Sequence, residues 1–422
     1  MTVTREPATS PTPAVQPSDV GSARVARGRW QLRHGSGFWV IAAAFLTVMA
    51  FSTVPTPLYA LYQARDGFPT WVVTVVFAAY AVGVIASLFL IGHLSDWAGR
   101  RRMVLIAILI EVVAAALFLV WNDVSGLIVA RVLSGVGVGA LTASATAHLS
   151  ELRAVARPAE GPRLAGTVST VVNTGGLALG PLIGGAFAQF LPQPLLLPYV
   201  VFLVLLAVAA LAVALVPETV ERAEERPAYR PQRVSLPASA RGAFTAAAIA
   251  AFAGFAVFGL FTSLAPSVVS GVLHQSSHLL AGAVPFSVFA ASALSQIVFA
   301  RLRMRAQLGL ALILMLAGLA GLATGVLVAS LAVFLVSGVL AGAGVGLLFR
   351  AAIAATAALA APERRGEVLA AIFLVAYIGL ALPVLLVGVA LILWPLVPVL
   401  GVFVGIVGLL ALFGGLRMLR TA

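Results

Sequence analysis

The 422-residue sequence contains no cysteine and no lysine, and only 9% of its residues are charged. The lack of cysteine excludes disulfides, thiolate metal sites and cysteine nucleophiles. The lack of lysine excludes Schiff-base chemistry and a lysine-bearing phosphate loop. The share of charged residues is well below the about 25% of an average soluble domain. Hydrophobic residues make up 61% of the chain. The composition therefore predicts a chain solvated by lipid.

Twelve stretches are long and apolar enough to cross the hydrocarbon core as helices, which takes about 20 residues each. We therefore predict an all-α integral membrane protein with twelve transmembrane helices in two pseudo-symmetric bundles of six. The polar residues 1–36 predict a disordered cytoplasmic tail rather than a signal peptide, and 217–241 predict a cytoplasmic linker between bundles at 37–216 and 242–417. The spans run near 37–61, 70–92, 103–121, 125–148, 164–190, 194–216, 242–265, 277–299, 307–328, 330–355, 367–389 and 391–416.

Arginines account for the formal net charge of +12, and they lie in alternate connections between the spans. Examples are Arg100–Arg102 between spans 2 and 3 and Arg301, Arg303 and Arg305 between spans 8 and 9. This positive-inside pattern predicts that both termini are cytoplasmic. The arginines then serve topology and contact with the lipid bilayer, so we expect no nucleic-acid partner. Arginine-rich, lysine-free composition also suggests a bacterial cell (inner) membrane.

The two halves of the chain contain similar segments in the same order. Residues 131–141 (RVLSGVGVGAL) resemble 338–348 (GVLAGAGVGLL), and residues 176–185 (GLALGPLIGG) resemble 379–388 (GLALPVLLVG). The first pair lies on spans 4 and 10, and the second on spans 5 and 11. Six helices return the chain to its starting side, so the sequence predicts a parallel repeat about an axis along the membrane normal.

The loop between spans 2 and 3, residues 92–102, reads GHLSDWAGRRR. It resembles the corresponding loop of the major facilitator superfamily, with Gly92, Asp96, Gly99, Arg100 and Arg101 on the pattern. Two glycines allow a tight turn at the membrane surface. The resemblance implies a cytoplasmic gate in which the aspartate contacts the N-terminal end of span 11, where a helix dipole favours a carboxylate.

Spans 5 and 4 carry two further similarities to the superfamily. Span 5 matches the glycine-proline pattern described for its antiporters, in which small residues allow close helix packing and a proline bends the helix. Span 4 carries Arg131 followed by glycines, and an arginine in this position is associated in the family with proton transfer. The residues on the span 5 pattern are Gly176, Gly180, Pro181, Gly184 and Gly185.

Glu111 is the one carboxylate well inside a predicted span, near the middle of span 3. Desolvation favours the neutral form of a carboxyl group unless a cation offsets it. Glu111 is therefore a candidate proton carrier or a partner of Arg131, because spans 3 and 4 are antiparallel and place the two about 7 Å apart in depth. A structural role for either residue remains the alternative.

The helices that line the central cavity in this family carry small, apolar and aromatic residues here, which suits lipophilic or weakly polar substrates. His274 and His278 are the only closely spaced histidines in the outer connections, and no carboxylate lies near them, so we expect no metal site. The cavity candidates are Thr53, Tyr59, Tyr80, Asn173, Phe261 and Tyr377.

The resemblance implies a secondary active transporter, not an enzyme, that exports small lipophilic compounds by alternating access. It would use no cofactor and take its energy from a proton gradient, so its partners are a small-molecule substrate, protons and lipid, and we expect a monomer. The alternatives are a facilitator or proton symporter that imports a metabolite and, more remotely, a transport-inactive receptor or scaffold.

Overall fold

The computed structural model describes residues 31–91, 98–220, 240–359 and 365–421. Within these ranges it contains twelve helices long and apolar enough to cross a membrane. The first six form one bundle: α1 His34–Thr53, α2 Thr70–Leu90, α3 Arg100–Val120, α4 Val124–Ala156, α5 Arg163–Phe190 and α6 Leu197–Ala214. The second six are α7 Arg241–Ser263, α8 His278–Val298, α9 Met304–Leu327, α10 Leu331–Ala358, α11 Arg365–Leu393 and α12 Leu396–Thr421.

The prediction of an all-α membrane protein with twelve spans is confirmed. The first predicted span is interrupted, however, and a short helix follows the seventh. After α1 the chain forms a 3₁₀ turn, Thr56–Leu58, and then the short helix Tyr59–Asp66, because Pro55 and Pro57 each lack a backbone N–H. After α7, Leu264 separates the helix from a short helix, Ala265–Gly271, which has Pro266 in its first turn.

Helix α4 continues to Ala156, well past the boundary near 148 that hydropathy predicts. Its last two turns carry Glu151 and Arg153, whose side chains form ion pairs rather than packing against lipid. Polar residues end an apolar stretch but do not end a helix, so the structural boundary lies beyond the hydropathic one.

The helices of the two bundles pair in the same pattern. Helices α1 and α5 pack together as do α7 and α11; α2 and α4 as do α8 and α10; and α3 packs on α4 and α6 as α9 packs on α10 and α12. This correspondence is what the repeated segments predict. Large apolar side chains such as Leu211 and Leu409 remain exposed on the outside of the bundles, where lipid would solvate them.

The bundles meet through two helix pairs, α2 with α11 and α5 with α8. We call the end of the molecule where α1 begins and α12 ends the terminal end, and the opposite end the distal end. Helices α5 and α8 approach most closely at the distal end, where a Cβ atom built on Gly185 would lie 3.1 Å from the Cα of Gly282. Gln189 of α5 also accepts a hydrogen bond from the backbone N–H of His278 at 3.0 Å.

Candidate functional site

The centre of the first bundle is organised by the glycines of α4. A Cβ on Gly135 would overlap the backbone oxygen of Tyr80, and one on Gly139 would lie 2.8 Å from the Cβ of Ser87. Both neighbours belong to α2. The absence of side chains at these positions lets the two backbones approach closely. Helix α2 is thereby held against α4 over the depth at which the buried charged groups lie.

Glu111 of α3 is fully buried, and its carboxyl group packs against Gly137 of α4. A Cβ on Gly137 would lie 2.6 Å from the carboxyl Oε1, so a larger residue at this position would force the glutamate side chain to shift. The hydroxyl of Ser134 faces the same carboxyl group. Among the residues that the structure describes, neither carboxyl oxygen of Glu111 nor the hydroxyl of Ser134 has a partner at hydrogen-bond geometry.

Arg131, one turn nearer the distal end than Ser134, is 1% exposed. Its NH1 group donates a hydrogen bond to the backbone oxygen of Ser52 in α1 at 2.5 Å, and its guanidinium carbon lies 4.5 Å from the centre of the Tyr80 ring. A cation over an aromatic face is stabilised by the ring quadrupole, by up to about 2 kcal/mol when desolvated. Arg131 therefore connects α4 with α1 and α2.

Several buried polar atoms in this part of the bundle have no hydrogen-bond partner within the described residues. Each costs about 1–3 kcal/mol relative to a satisfied group, and such accumulations call for an explanation other than stability. We call this set the polar seam. It extends from the short helix that follows α1 to the terminal half of α2. Its members are Tyr59 Oη, Arg131 Nε, Ser134 Oγ, both carboxyl oxygens of Glu111, and Ser87 Oγ.

The structure thus brings both predicted coupling residues into one seam, but in a different arrangement from the one expected. Glu111 and Arg131 interact electrostatically yet do not form an ion pair within 4.0 Å. Gly137 and Ser134, rather than Arg131, contact or face the carboxyl group. Sequence reasoning missed Gly137, because nothing in the sequence shows which face of α3 meets α4.

The glycines of the α5 pattern divide their contacts between the two bundles. Gly176, Gly180 and Gly184 face α1 and its continuation, where added Cβ atoms would meet Met49, Ala50 and Val54. Gly185 instead faces α8 of the other bundle, and Gly282 of α8 in turn approaches the backbone of Pro181. The pattern therefore serves close packing both within the bundle and between bundles.

The predicted gate lies partly outside the described residues, which include neither Gly92 nor Asp96. Gly99 precedes α3 with φ at +100°, a conformation that residues with side chains rarely adopt. Arg100 forms an ion pair with Glu151 of α4 at 3.1 Å. Arg101 donates to the backbone oxygen of Val216 at 3.1 Å, which satisfies a carbonyl beyond the end of α6.

The start of the linker is held against the same corner of the first bundle. His148, fully buried in α4, makes a 3.1 Å hydrogen bond to the backbone oxygen of Pro217, and Thr219 donates to Glu151 at 2.5 Å. Glu218 accepts a hydrogen bond from the backbone N–H of Arg101 at 3.2 Å. Sequence reasoning missed this cluster because it placed His148 at the end of span 4 and Pro217 in a linker, with nothing to indicate that the two meet.

The six predicted cavity residues occupy different environments. Thr53 donates to the backbone oxygen of Leu177 at 3.1 Å, and so joins α1 to α5. Phe261 is buried inside the second bundle with its ring 5.8 Å from that of Phe334. Asn173 is half-buried on α5. Tyr59 belongs to the polar seam.

Tyr80 and Tyr377, the remaining two cavity candidates, belong to different bundles. Their side chains lie within interaction distance of each other across the α2–α11 contact. Tyr80 also carries the guanidinium of Arg131 on its ring. The pair therefore links the polar seam of the first bundle to the inner surface of the second.

Two pseudo-symmetric six-helix bundles, with a buried polar seam in one of them, are the architecture of a membrane transporter rather than an enzyme. The family model described as the Major Facilitator Superfamily matches residues 40–382. The chain therefore belongs to this superfamily, and it is a multi-pass membrane protein.

Curated relatives match over part of their length. The uncharacterized MFS-type transporter Rv1250 of Mycobacterium tuberculosis is 30% identical over 158 residues, which is 36% of this chain and 25% of the relative. The multidrug efflux pump LfrA of Mycolicibacterium smegmatis is 34% identical over 164 residues, 37% of this chain and 31% of the pump. The matched segments thus span about a quarter to a third of these relatives.

Solved structures share the fold over nearly the whole chain. A bacterial homolog of the human lysosomal transporter Spinster, in an inward-facing and unoccupied conformation, superposes with a TM-score of 0.67 at 15% identity, covering 92% of this chain and 97% of that one. The human organic anion transporter MFSD10 gives 0.67 at 18% identity, covering 92% and 100%. At these identities the likeness establishes the fold alone.

Proposed function

We propose that this protein is a proton-coupled exporter of small lipophilic or weakly polar compounds, working by alternating access in the bacterial cell membrane with both termini in the cytoplasm. One observation carries the proposal. The carboxyl group of Glu111 is fully buried in the first bundle against Gly137, near a buried arginine and without a hydrogen-bond partner among the described residues.

This arrangement supports proton exchange for electrostatic reasons. An ionised carboxylate in a low-dielectric interior is costly unless a cation or hydrogen-bond donors stabilise it. The carboxyl group of Glu111 faces Ser134 and interacts electrostatically with Arg131. Changes in the packing of α3 against α4 would change these interactions, and with them the relative stability of the neutral and ionised forms of Glu111. A group balanced in this way can couple proton binding to the rearrangement of helices.

Export, rather than import, is supported by two observations. The glycine-proline pattern of α5 resembles that of the superfamily's antiporters, and one partial relative is a multidrug efflux pump. The apolar and aromatic character of the candidate cavity also favours lipophilic over strongly polar substrates.

The test compares the wild-type protein with Glu111→Gln in inside-out membrane vesicles that carry a pre-formed proton gradient. Glu160→Gln serves as the matched control, because it makes the same chemical change at a surface ion pair with Arg153. Addition of a lipophilic compound should partly collapse the gradient in wild-type and Glu160→Gln vesicles, and not in Glu111→Gln vesicles of equal protein content.

Other outcomes separate the alternatives. Compound movement without proton flux would indicate a facilitator, and proton flux in the same direction as the compound would indicate a symporter. Absence of any flux with every compound in a panel of drugs, sugars and organic acids would favour a receptor or scaffold. Normal gradient collapse in Glu111→Gln would refute the assigned role of Glu111.

A further inference from the structure

The second bundle contains a cluster of aromatic rings that has no part in the proposed proton coupling. They come from four helices and lie near mid-depth, each within 5.7 Å, centre to centre, of at least one other ring. We call this set the aromatic wall. It consists of Phe255 and Phe258 on α7, Phe289 on α8, Phe349 on α10, and Phe373 and Tyr377 on α11.

Phe255 is the centre of the wall. Its ring lies 4.9 Å from that of Phe349, 5.6 Å from Tyr377 and 5.7 Å from Phe258, in tilted or edge-on orientations. The rings of Phe258 and Phe289 are stacked at 4.5 Å. Edge-on neighbours leave ring faces available, so the wall can accept a further aromatic ring at the geometry that its own members use.

Tyr377 places one edge of the wall at the contact with the other bundle. Tyr377 lies next to Tyr80 of the first bundle, across the α2–α11 contact. Phe255, Phe349, Phe373 and Tyr377 are only partly buried, whereas an aromatic pair deeper inside the same bundle, such as Phe261 with Phe334, is almost completely buried. Phe258 and Phe289 are buried, so the four partly buried rings are the members of the wall that a substrate could contact.

Charge is distributed unevenly between the two bundles. Among the described residues, the buried side chains that carry a carboxyl, guanidinium or imidazole group are Glu111, Arg131 and His148, and all three belong to the first bundle. In the described part of the second bundle the buried polar side chains are serines, threonines and Gln307. Thr262 and Ser263 lie close to the wall, and their hydroxyl groups donate to backbone oxygens of their own helix at 2.6 and 2.7 Å. These hydroxyl hydrogens are therefore already used within the helix.

From this we propose that the aromatic wall is the substrate subsite, that it selects flat aromatic compounds by stacking, and that proton and substrate bind in different bundles. The inference rests on the proposed transport function and adds the substrate class and its location. Ring faces accept both neutral aromatic molecules and aromatic cations. Separate sites would mean that proton and substrate are coupled through helix packing and not through competition for one carboxylate.

Equilibrium binding to the purified full-length protein in lipid nanodiscs tests the proposal without any gradient. The probe is ethidium, a flat aromatic cation, and the matched ligand is tetrapentylammonium, a cation without rings. Phe255→Leu and Phe349→Leu should each weaken ethidium binding about 2- to 10-fold, the effect of one lost ring contact. Tetrapentylammonium binding should change much less, and Phe255→Trp, which keeps a ring, should retain ethidium affinity.

Phe334→Leu is the control variant, since it removes a ring of the same bundle that lies away from the wall. Glu111→Gln should still bind ethidium, and Phe255→Leu should weaken that binding by the same factor as it does in the wild type, because coupling through helix packing can change the affinity without removing the ring contact. Unchanged ethidium affinity in both leucine variants, no ethidium binding to the wild type, or an equal loss of tetrapentylammonium binding would overturn the aromatic subsite. If the effect of Phe255→Leu on ethidium binding disappeared in Glu111→Gln, the separation of the two sites would be overturned.

These results are independent of the test of the proposed function. Binding that depends on Phe255, together with vesicles that show no proton flux, would retain the aromatic subsite and reject proton coupling. Proton flux that depends on Glu111, together with leucine variants that bind normally, would retain coupling and reject the subsite.

Discussion

A single added methyl group at Gly185 should shift the balance between the conformations of the transporter. A Cβ there would lie 2.6 Å from the backbone oxygen of His278 and 3.1 Å from the Cα of Gly282, both in the opposite bundle. The obstacle is backbone, which cannot rotate away as a side chain could, so the distal ends of α5 and α8 must separate. Overpacking of this kind costs about 1–3 kcal/mol.

That cost falls on the conformation in which the distal ends are in contact and is relieved when the bundles rock apart. Because 1.4 kcal/mol corresponds to a tenfold change in an equilibrium constant, Gly185→Ala should reduce the population with distal contact about 5- to 150-fold relative to the separated one. The natural absence of cysteine makes the measurement direct. Spin labels on cysteines at the exposed positions Phe190 and Ser276 would report the α5–α8 distance by double electron–electron resonance.

Two alanine substitutions on the same helix serve as controls. A Cβ on Gly175 would meet nothing within 4 Å, so Gly175→Ala should leave the distance distribution unchanged. Gly180→Ala would press on Ala50 and Thr53 of its own bundle and should lower stability without separating the distal ends. If Gly185→Ala gave the same distribution as Gly175→Ala, the reasoning from the inter-bundle contact would be wrong.

Two further predictions concern α4, and both are measured by thermal unfolding of the purified protein. Arg131→Ala should destabilise the protein by about 2–5 kcal/mol, because it leaves a cavity and deprives the carbonyl oxygen of Ser52 of its charged donor; an unchanged midpoint would contradict this. Asp123→Ala should cost about 0.5–2 kcal/mol, because Asp123 caps α4 by accepting the N–H of Gly126 at 2.8 Å. Asp123→Ser, which keeps a cap, should retain most of that stability, and equal losses in the two variants would argue against capping.

The architecture was predictable because its cause is local. Each span must satisfy its own backbone hydrogen bonds in lipid, so a run of about 20 apolar residues determines a helix wherever it occurs. The interruption near Pro55, the short helix that begins at Ala265 and the extension of α4 to Ala156 were missed. Mean apolarity does not report the lost N–H of a proline, and it ends a span at the first charges even where the helix continues.

The candidate site was only partly predictable because its contacts are tertiary. Sequence position identified Glu111 and Arg131 as buried, since a charged residue within a membrane-spanning segment almost always faces the interior of the bundle. It could not identify Gly137 as the neighbour of Glu111, because that contact depends on the rotation of α3 about its axis. The aromatic wall is similar, since Phe255, Phe349 and Tyr377 belong to three helices that are far apart in the sequence.

Comparison of the two halves of the internal repeat distinguishes residues that helix packing requires from residues that the candidate site requires. The position in α10 that corresponds to Arg131 is Gly338, and the space beside it is filled by carbon: a Cβ there would lie 3.1 Å from Val288 and 3.2 Å from the ring of Phe261. The same helix packing is thus achieved with a buried cation in one bundle and with apolar side chains in the other. Packing alone therefore does not require an arginine at this position, and the proposed role of Arg131 beside Glu111 in proton coupling would account for it.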